Sequence, residues 1–179
     1  LSVMKKILFL FFILFGINVL AQEQTDLEFF LGGAQVMDIT SDGTNLWFAT
    51  NGIGIFKYMP KTNAWMQYST SFGNLQHDFF YCIAANEDYV WAGSTDGLFI
   101  LDKKNETWTK RKFGLGGQLA NWIRALAFDK YEKVLWIGRF KYLTKFDLKE
   151  KKYSDYDLTV KGNEKTNNIK SIQVDGDSL

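Results

Sequence analysis

The sequence predicts an all-β protein of the β-propeller class, with about three four-stranded antiparallel blades plus the start of a fourth, and hence an incomplete ring. Three observations lead there. Trp47, Trp91 and Trp136 stand 44 and 45 residues apart, and each follows an apolar residue, Leu46, Val90 or Leu135. Short apolar runs alternate with Asn-Gly and Asp-Gly pairs, whose residues tolerate the positive φ of tight hairpin turns. Aromatic residues make up 17% of the chain and there is one Pro, so apolar surface is ample for a packed core. Four antiparallel strands in each ~40–50 residues, repeated, mark propeller blades, and hairpins this short disfavour the parallel coils of a solenoid.

The first element is not part of the fold. Lys5 and Lys6 precede the apolar run Ile7 to Phe15, and Val19-Leu20-Ala21 supplies small residues for cleavage. This is the pattern of a secretory signal peptide, residues 1–21, cut after Ala21. The apolar run is shorter than the ~20 residues that span a bilayer, and no Cys lies near the cut for lipid attachment. The protein is therefore expected to be exported, to a periplasmic, surface or secreted location. Residues 22–35, with "TDLEFFLGG" at Thr25 to Gly33, are expected to form an N-terminal strand that closes the ring by joining the last blade.

The blades follow at 36–79, 80–122 and 123–168, with a partial fourth at 169–179. In the first, "VMDIT", "LWFAT", "IGIFKY" and "AWMQY" are the four strands, separated by "SDGTN", "NG" and "MPKTN". "FYCIAA", "YVWAGS", "LFILD" and "TWTKRKF" repeat them in the second. Several positions carry the period together. Ile39 and Ile83 lie eight residues before Trp47 and Trp91, whereas Leu126 lies ten before Trp136, which implies a two-residue insertion in "DKYEK". A second aromatic residue, Trp65, Trp108 or Tyr153, follows each Trp by 17 or 18 positions. Ile172 opens the fourth unit in the place of Ile39 and Ile83. The repeated Trp is expected in an inner strand, packed between adjacent blades rather than stacking on a ligand.

These units resemble the two-component regulator propeller repeat, on the residues "VMDITSDGTNLWFATNGIGIFKY", "FYCIAANEDYVWAGSTDGLFILD" and "IRALAFDKYEKVLWIGRFKYLTKFD", from about Val36 to Leu179. The third has "GRFKYL" where that pattern has a Gly-containing turn. No Trp-Asp dipeptide of the WD40 kind follows the strands, and the Asp, Gly and Trp of "SDGTNLW" are not spaced as in a sialidase Asp-box. Streptogramin-lyase propellers are nearer, through "LWFATNGIGIFKYMPKTN". The resemblance implies an exported recognition module, the periplasmic ligand-sensing part of a histidine kinase or hybrid regulator. It also implies a glycan-derived or other small ligand, a membrane link through a downstream segment, and homodimers if the chain is a sensor. A secreted or surface-assembled scaffold without a kinase is the alternative reading, and a lyase-like enzyme a more distant one.

Composition and motifs bound the chemistry. Removing Lys5 and Lys6 from 21 basic residues leaves 19 against 20 acidic ones, which gives no electrostatic footprint for nucleic acid. Cys82 is the single Cys, and within "FFYCIAA" it reads as a small buried hydrophobe. His77, the single His, sits in "FGNLQHDFF" between blades and reads as a solvated loop residue, because neighbours such as His77 and Asp78 on an extended segment point to opposite sides. No spacing suits structural zinc. "DGDS" at Asp175 to Ser178 matches the hairpin turn of the first unit better than a calcium loop. "GLGGQLAN", Gly114 to Asn121, lacks the Lys-Ser/Thr of a phosphate loop and reads as an inter-blade loop. No catalytic cluster and no cofactor or metal site is expected. Weak candidates for ligand binding are the polar residues on the face that carries the blade-to-blade connections and the loops between second and third strands: Asn51, Asn74, Gln76, His77, Asp96, Gln118, Asn121 and Arg139.

Overall fold

The computed structural model describes residues 33–115, 117–161 and 168–175. The chain divides into two units, residues 1–33 and 34–179, and the second holds all the strands that follow. The expected signal peptide, the ring-closing strand at Thr25 to Phe30 and most of "DGDS" lie outside the described residues.

The repeat becomes three four-stranded antiparallel sheets, each a meander in chain order. The first holds β1 (Gln35–Ser41), β2 (Leu46–Asn51), β3 (Ile55–Met59) and β4 (Ala64–Tyr68). The second holds β5 (Cys82–Ala85), β6 (Tyr89–Ser94), β7 (Gly97–Asp102) and β8 (Thr107–Arg111). The third holds β9 (Ile123–Asp129), β10 (Val134–Arg139), β11 (Tyr142–Asp147) and β12 (Lys152–Asp157). A short 3-10 turn, Gln118–Asn121, precedes β9.

Register shows that the sequence period is a structural one. The residue after each Trp pairs with the recurring aliphatic residue of the inner strand: Phe48 with Ile39, Ala92 with Ile83, Ile137 with Leu126. Each second aromatic occupies one position of the outer strand, Trp65 opposite Tyr58, Trp108 opposite Leu101, Tyr153 opposite Phe146. The insertion in the third unit lengthens the first hairpin by one residue pair, Asp129 opposite Val134, and leaves the loop the same size as in the other blades. Its Asp129 carboxylate accepts the N–H groups of Tyr131 and Glu132, and Lys133 closes the loop with φ 59. The start of the fourth unit lies in the same frame. Asn168 bridges Phe140 as Phe79 bridges Asn51, and Ile169 packs on Gly138 where Ile123 packs on Gly93.

Blades pack face to face through alternate residues. Because successive side chains of a strand point to opposite faces, Ile83 and Ala85 of β5 join a core with Trp47, Ala49 and Tyr68 of the first blade. Cys82 and Ala84 join another with Ile123, Leu126, Leu135 and Ile137 of the third. All four residues of β5 are therefore buried. Trp47 and Trp91 are each 1% exposed, Trp91 stacking on Phe128 across the interface with ring centroids 5.5 Å apart, as expected for inter-blade packing. Two repeat positions differ. Ile39 is 55% exposed and Trp136 only half-buried, because among the described residues no blade covers the Ile39 face of the first sheet or the outer Trp136 face of the third.

Candidate functional site

The loops between second and third strands are built on residues that can turn tightly. Gly54 and Gly97 have φ 84 and 123, and a Cβ on either would lie 2.0 or 2.5 Å from the carbonyl oxygen of Tyr68 or Arg111. Only Gly fits there. In the third blade, Lys141 itself adopts φ 72, so the turn forms without Gly.

The connection between the first two blades folds onto the first of these loops and is stapled to it. The Asp78 carbonyl accepts the N–H groups of Gly52 and Gly54 at 3.0 and 2.9 Å, and the Asp78 carboxylate accepts both the N–H and the hydroxyl of Thr70. Asn74 ties the same connection down, accepting from Ser69 N–H and donating to the Gln67 carbonyl. The result is a rigid polar rim.

A groove of about 650 Å³ runs along this rim, with Asn74, Leu75 and Gln76 on one side and Phe99, Trp108 and Lys110 among the residues opposite. Gln76 is exposed. Asp96, at the neighbouring turn, is paired with Lys110 and Lys112 at 2.7 and 2.8 Å, and hydrogen bonds from those two ammonium groups lower its carboxyl to about 2. The indole N–H of Trp108 is buried and has no hydrogen-bond partner. The groove thus presents two amides, an aromatic wall and a lysine, groups able to stack on an apolar ring face and to orient polar substituents.

The remaining candidates have other duties. His77 is half-buried rather than fully solvated: its ring stacks on Phe99 with centroids 5.7 Å apart and stands at 90° to Phe80. Its Nε2 is buried without a partner, and burial pushes its pKa down. Of its aromatic neighbours in "HDFF", Phe80 is buried and Phe79 is 52% exposed, so the His77 ring is tucked against the core edge. Asn51 reaches Gln35 at 3.3 Å. The Asn121 side-chain oxygen accepts Phe113 N–H at 2.6 Å, fixing the 3-10 turn, and Gln118 stands exposed on that turn. Arg139, read as a rim residue, is 0% exposed. Its guanidinium donates to Thr144, the Ala120 carbonyl and Asp155, and it lies 4.2 Å from the Phe113 ring centroid. The register that puts Thr50 and Ser94 inside also puts Arg139 inside, and the three partners let it remain charged there.

The opposite face holds what the sequence did not disclose. A groove of about 660 Å³ lies along the inner strands, lined by Asp38, Asp42, Ile83, Asn86, Leu126 and Lys130 among others. Asp38 links two blades directly by accepting Ile83 N–H at 2.8 Å, and burial raises its pKa. Asp42 clamps the same interface: it accepts from Thr44 and Asn45 N–H, from Trp47 Nε1–H at 2.8 Å and from Lys103 Nζ at 2.5 Å. Burial opposes the Asp42 charge, yet the Lys103 ammonium and these N–H donors together hold the carboxyl well below the usual range. "SDGTN" signalled only a turn, and its partner Lys103 lies 61 residues away. Cys82 is buried, and burial pushes its thiol well up, so it is the small core residue expected. Among the described residues no group of three or more His, Cys, Asp or Glu is placed to hold a metal, and no helix is long and apolar enough to cross a membrane.

No protein-family model and no curated protein matches the sequence. Solved structures do resemble the fold. The extracellular domain assigned to the hybrid two-component system BT4673 of B. thetaiotaomicron superposes with TM-score 0.65 at 20% identity, over 79% of this chain and 18% of that one. The corresponding domain of BT3049 from the same organism gives 0.56 at 22%, over 69% and 17%. The computationally designed protein Ika4 gives 0.59 at 12%, over 80% and 81%. The chain spans less than a fifth of either B. thetaiotaomicron domain. At these identities the likeness is one of fold, and with the three meander sheets it makes this chain an all-β protein of β-propeller blades packed face to face.

Proposed function

We propose that the chain is an exported, non-enzymatic recognition module: the blades of a propeller that form the extracellular ligand-sensing part of a two-component regulator. The observation that carries this reading is the groove between the first connection and β7–β8, where Asn74 and Gln76 face Phe99, Trp108 and Lys110 on a rim fixed by Asp78. The signal-peptide pattern and the likeness in fold to extracellular domains of hybrid two-component systems support it. A glycan-derived ligand suits these groups, its ring face against the aromatics and its hydroxyls on the amides.

The test is a thermal-shift and calorimetric screen of the full-length protein against a panel of oligosaccharides. A ligand at a hundred times its Kd adds about 2.7 kcal/mol to stability, a shift of several degrees for a domain of ordinary size. One glycan class is expected to raise Tm, with the shift lost or cut to a small fraction in Gln76→Ala and Lys110→Ala, whose side chains are exposed. No shift from any glycan, or a shift that both substitutions leave intact, would overturn the assignment.

A further inference from the structure

The two blade interfaces use the same positions but cover their buried Trp differently. At the first, the Nζ atoms of Lys57 and Lys103 lie 5.3 and 5.4 Å from the Trp47 ring centroid. At the second, register puts Ile100 opposite Trp91, as Lys57 is opposite Trp47. Leu148 follows Asp147 as Lys103 follows Asp102, and Asn86 stands where Asp42 stands. Two long cationic side chains are thus exchanged for shorter aliphatic ones. The space they would fill is a cleft of about 320 Å³, walled by Tyr89, Trp91, Ile100, Phe146, Leu148 and Tyr153, with the exposed Lys151.

We propose that this cleft binds a small aromatic carboxylate. Its walls are aliphatic and aromatic, and Phe146 and Tyr153 stack on each other with centroids 4.1 Å apart, so the lining offers mainly ring faces, with the Tyr89 and Tyr153 hydroxyls as its neutral hydrogen-bonding groups. A sugar would bury hydroxyls there with few partners, each at a cost of ~1–3 kcal/mol, whereas a flat apolar ring has nothing to leave unsatisfied. The charge is one-sided. Lys151 is the charged residue in the lining, the Arg111 guanidinium lies 3.7 Å from the Tyr153 ring centroid, and no carboxylate lines the cleft. An anion is favoured and an ammonium ligand repelled. The position of Lys151 is set by its loop, where it holds the left-handed φ of 53 that Asn63 and Glu106 hold in the other blades. The site is separate from the polar groove of the proposed function and takes a different chemical class.

The probe is benzoate, titrated into the full-length protein by calorimetry and Trp fluorescence, with neutral benzamide of the same shape beside it. Saturable benzoate binding with a Kd of ~1 mM or tighter is expected for so small a ligand, with benzamide at least ~5-fold weaker, as loss of one charged partner implies. Leu148→Lys restores the cover found over Trp47 and should weaken benzoate at least ~10-fold, with near-UV circular dichroism reporting that the fold persists. Lys151→Met, at an exposed position, should erase the difference between benzoate and benzamide. Absence of saturation, equal affinity for the two probes, or a preference that survives Lys151→Met would each overturn the proposal, the last even if Leu148→Lys fails to fold.

Discussion

Lys141 and Asp42 are single residues whose surroundings decide what a substitution does. Lys141 occupies φ 72 at the turn where the first two blades use Gly. A side chain in the left-handed region costs ~1–2 kcal/mol, partly returned by the lower entropy of a non-Gly residue in the unfolded chain. Lys141→Gly is therefore expected to raise stability by roughly 0.5–1 kcal/mol in urea unfolding. Asp42 works the other way, because its side chain is 3% exposed and Lys103, 18% exposed, faces it. Asp42→Asn leaves that ammonium without its counter-charge and should cost ~2–3 kcal/mol at pH 7. The folded carboxyl titrates below its unfolded value near 3.8. Its contribution is thus complete above the unfolded pKa and is lost as pH falls through the folded one. The gap between the unfolding midpoints of the two proteins should narrow steadily as pH falls below about 4, and a gap that stays constant down to acid pH would show that the charge is not what matters. At this scale the sequence said least. The burial of Arg139, the stacking of His77 on Phe99 and the pairing of Asp42 with Lys103 depend on residues brought together from distant positions, and no local spacing encodes them.

Strands and their turns were the most legible element, for a physical reason. A blade needs alternating side chains on four short strands, and it needs positive φ at defined turn positions. Both demands leave periodic marks in sequence, so β2, β6 and β10 could be placed by their Trp residues and the third-blade insertion by its offset. The inner strands show what alternation alone cannot tell. β1 and β5 occupy the same place in their sheets, yet β1 alternates between exposed and half-buried while every residue of β5 is buried. The difference comes from β5 lying between two blades. Turns carry comparable weight, since Gly97 at φ 123 would set a Cβ 2.5 Å from the Arg111 carbonyl oxygen. Gly97→Ala should cost at least ~2 kcal/mol and loosen the β7–β8 edge, read as a lower Tm and faster amide exchange at Leu98 to Leu101. An exchange pattern matching the parent would mean that the backbone relaxes around the new methyl at little cost.

Across the blades, one Trp in three environments measures how complete the packing is. Trp47 and Trp91 are sealed by the next blade, whereas Trp136 is half-buried and at the other end Ile39 stands 55% exposed. Ile169 already sits on Gly138 as Ile123 sits on Gly93, so the third blade is prepared to receive a fourth by the same contacts that join the first three. If the protein continues into further blades that close the ring, its last blade would meet the Ile39 face, where the sequence pattern predicts that Thr25 to Phe30 supplies the fastening strand. The expected consequence is a dependence on length. Trp91→Ala should cost ~3–5 kcal/mol both in the 179-residue chain and in the full-length protein. Trp136→Ala should cost clearly less in the 179-residue chain, because the indole there has kept part of its contact with water, and should approach the Trp91→Ala value in the full-length protein. Deleting Thr25 to Phe30 from the full-length protein should lower its Tm sharply. Equal costs for Trp136→Ala in both lengths, together with an unchanged Tm on deletion, would mean that the open faces of the first and third blades are finished surfaces and that closure is achieved without them.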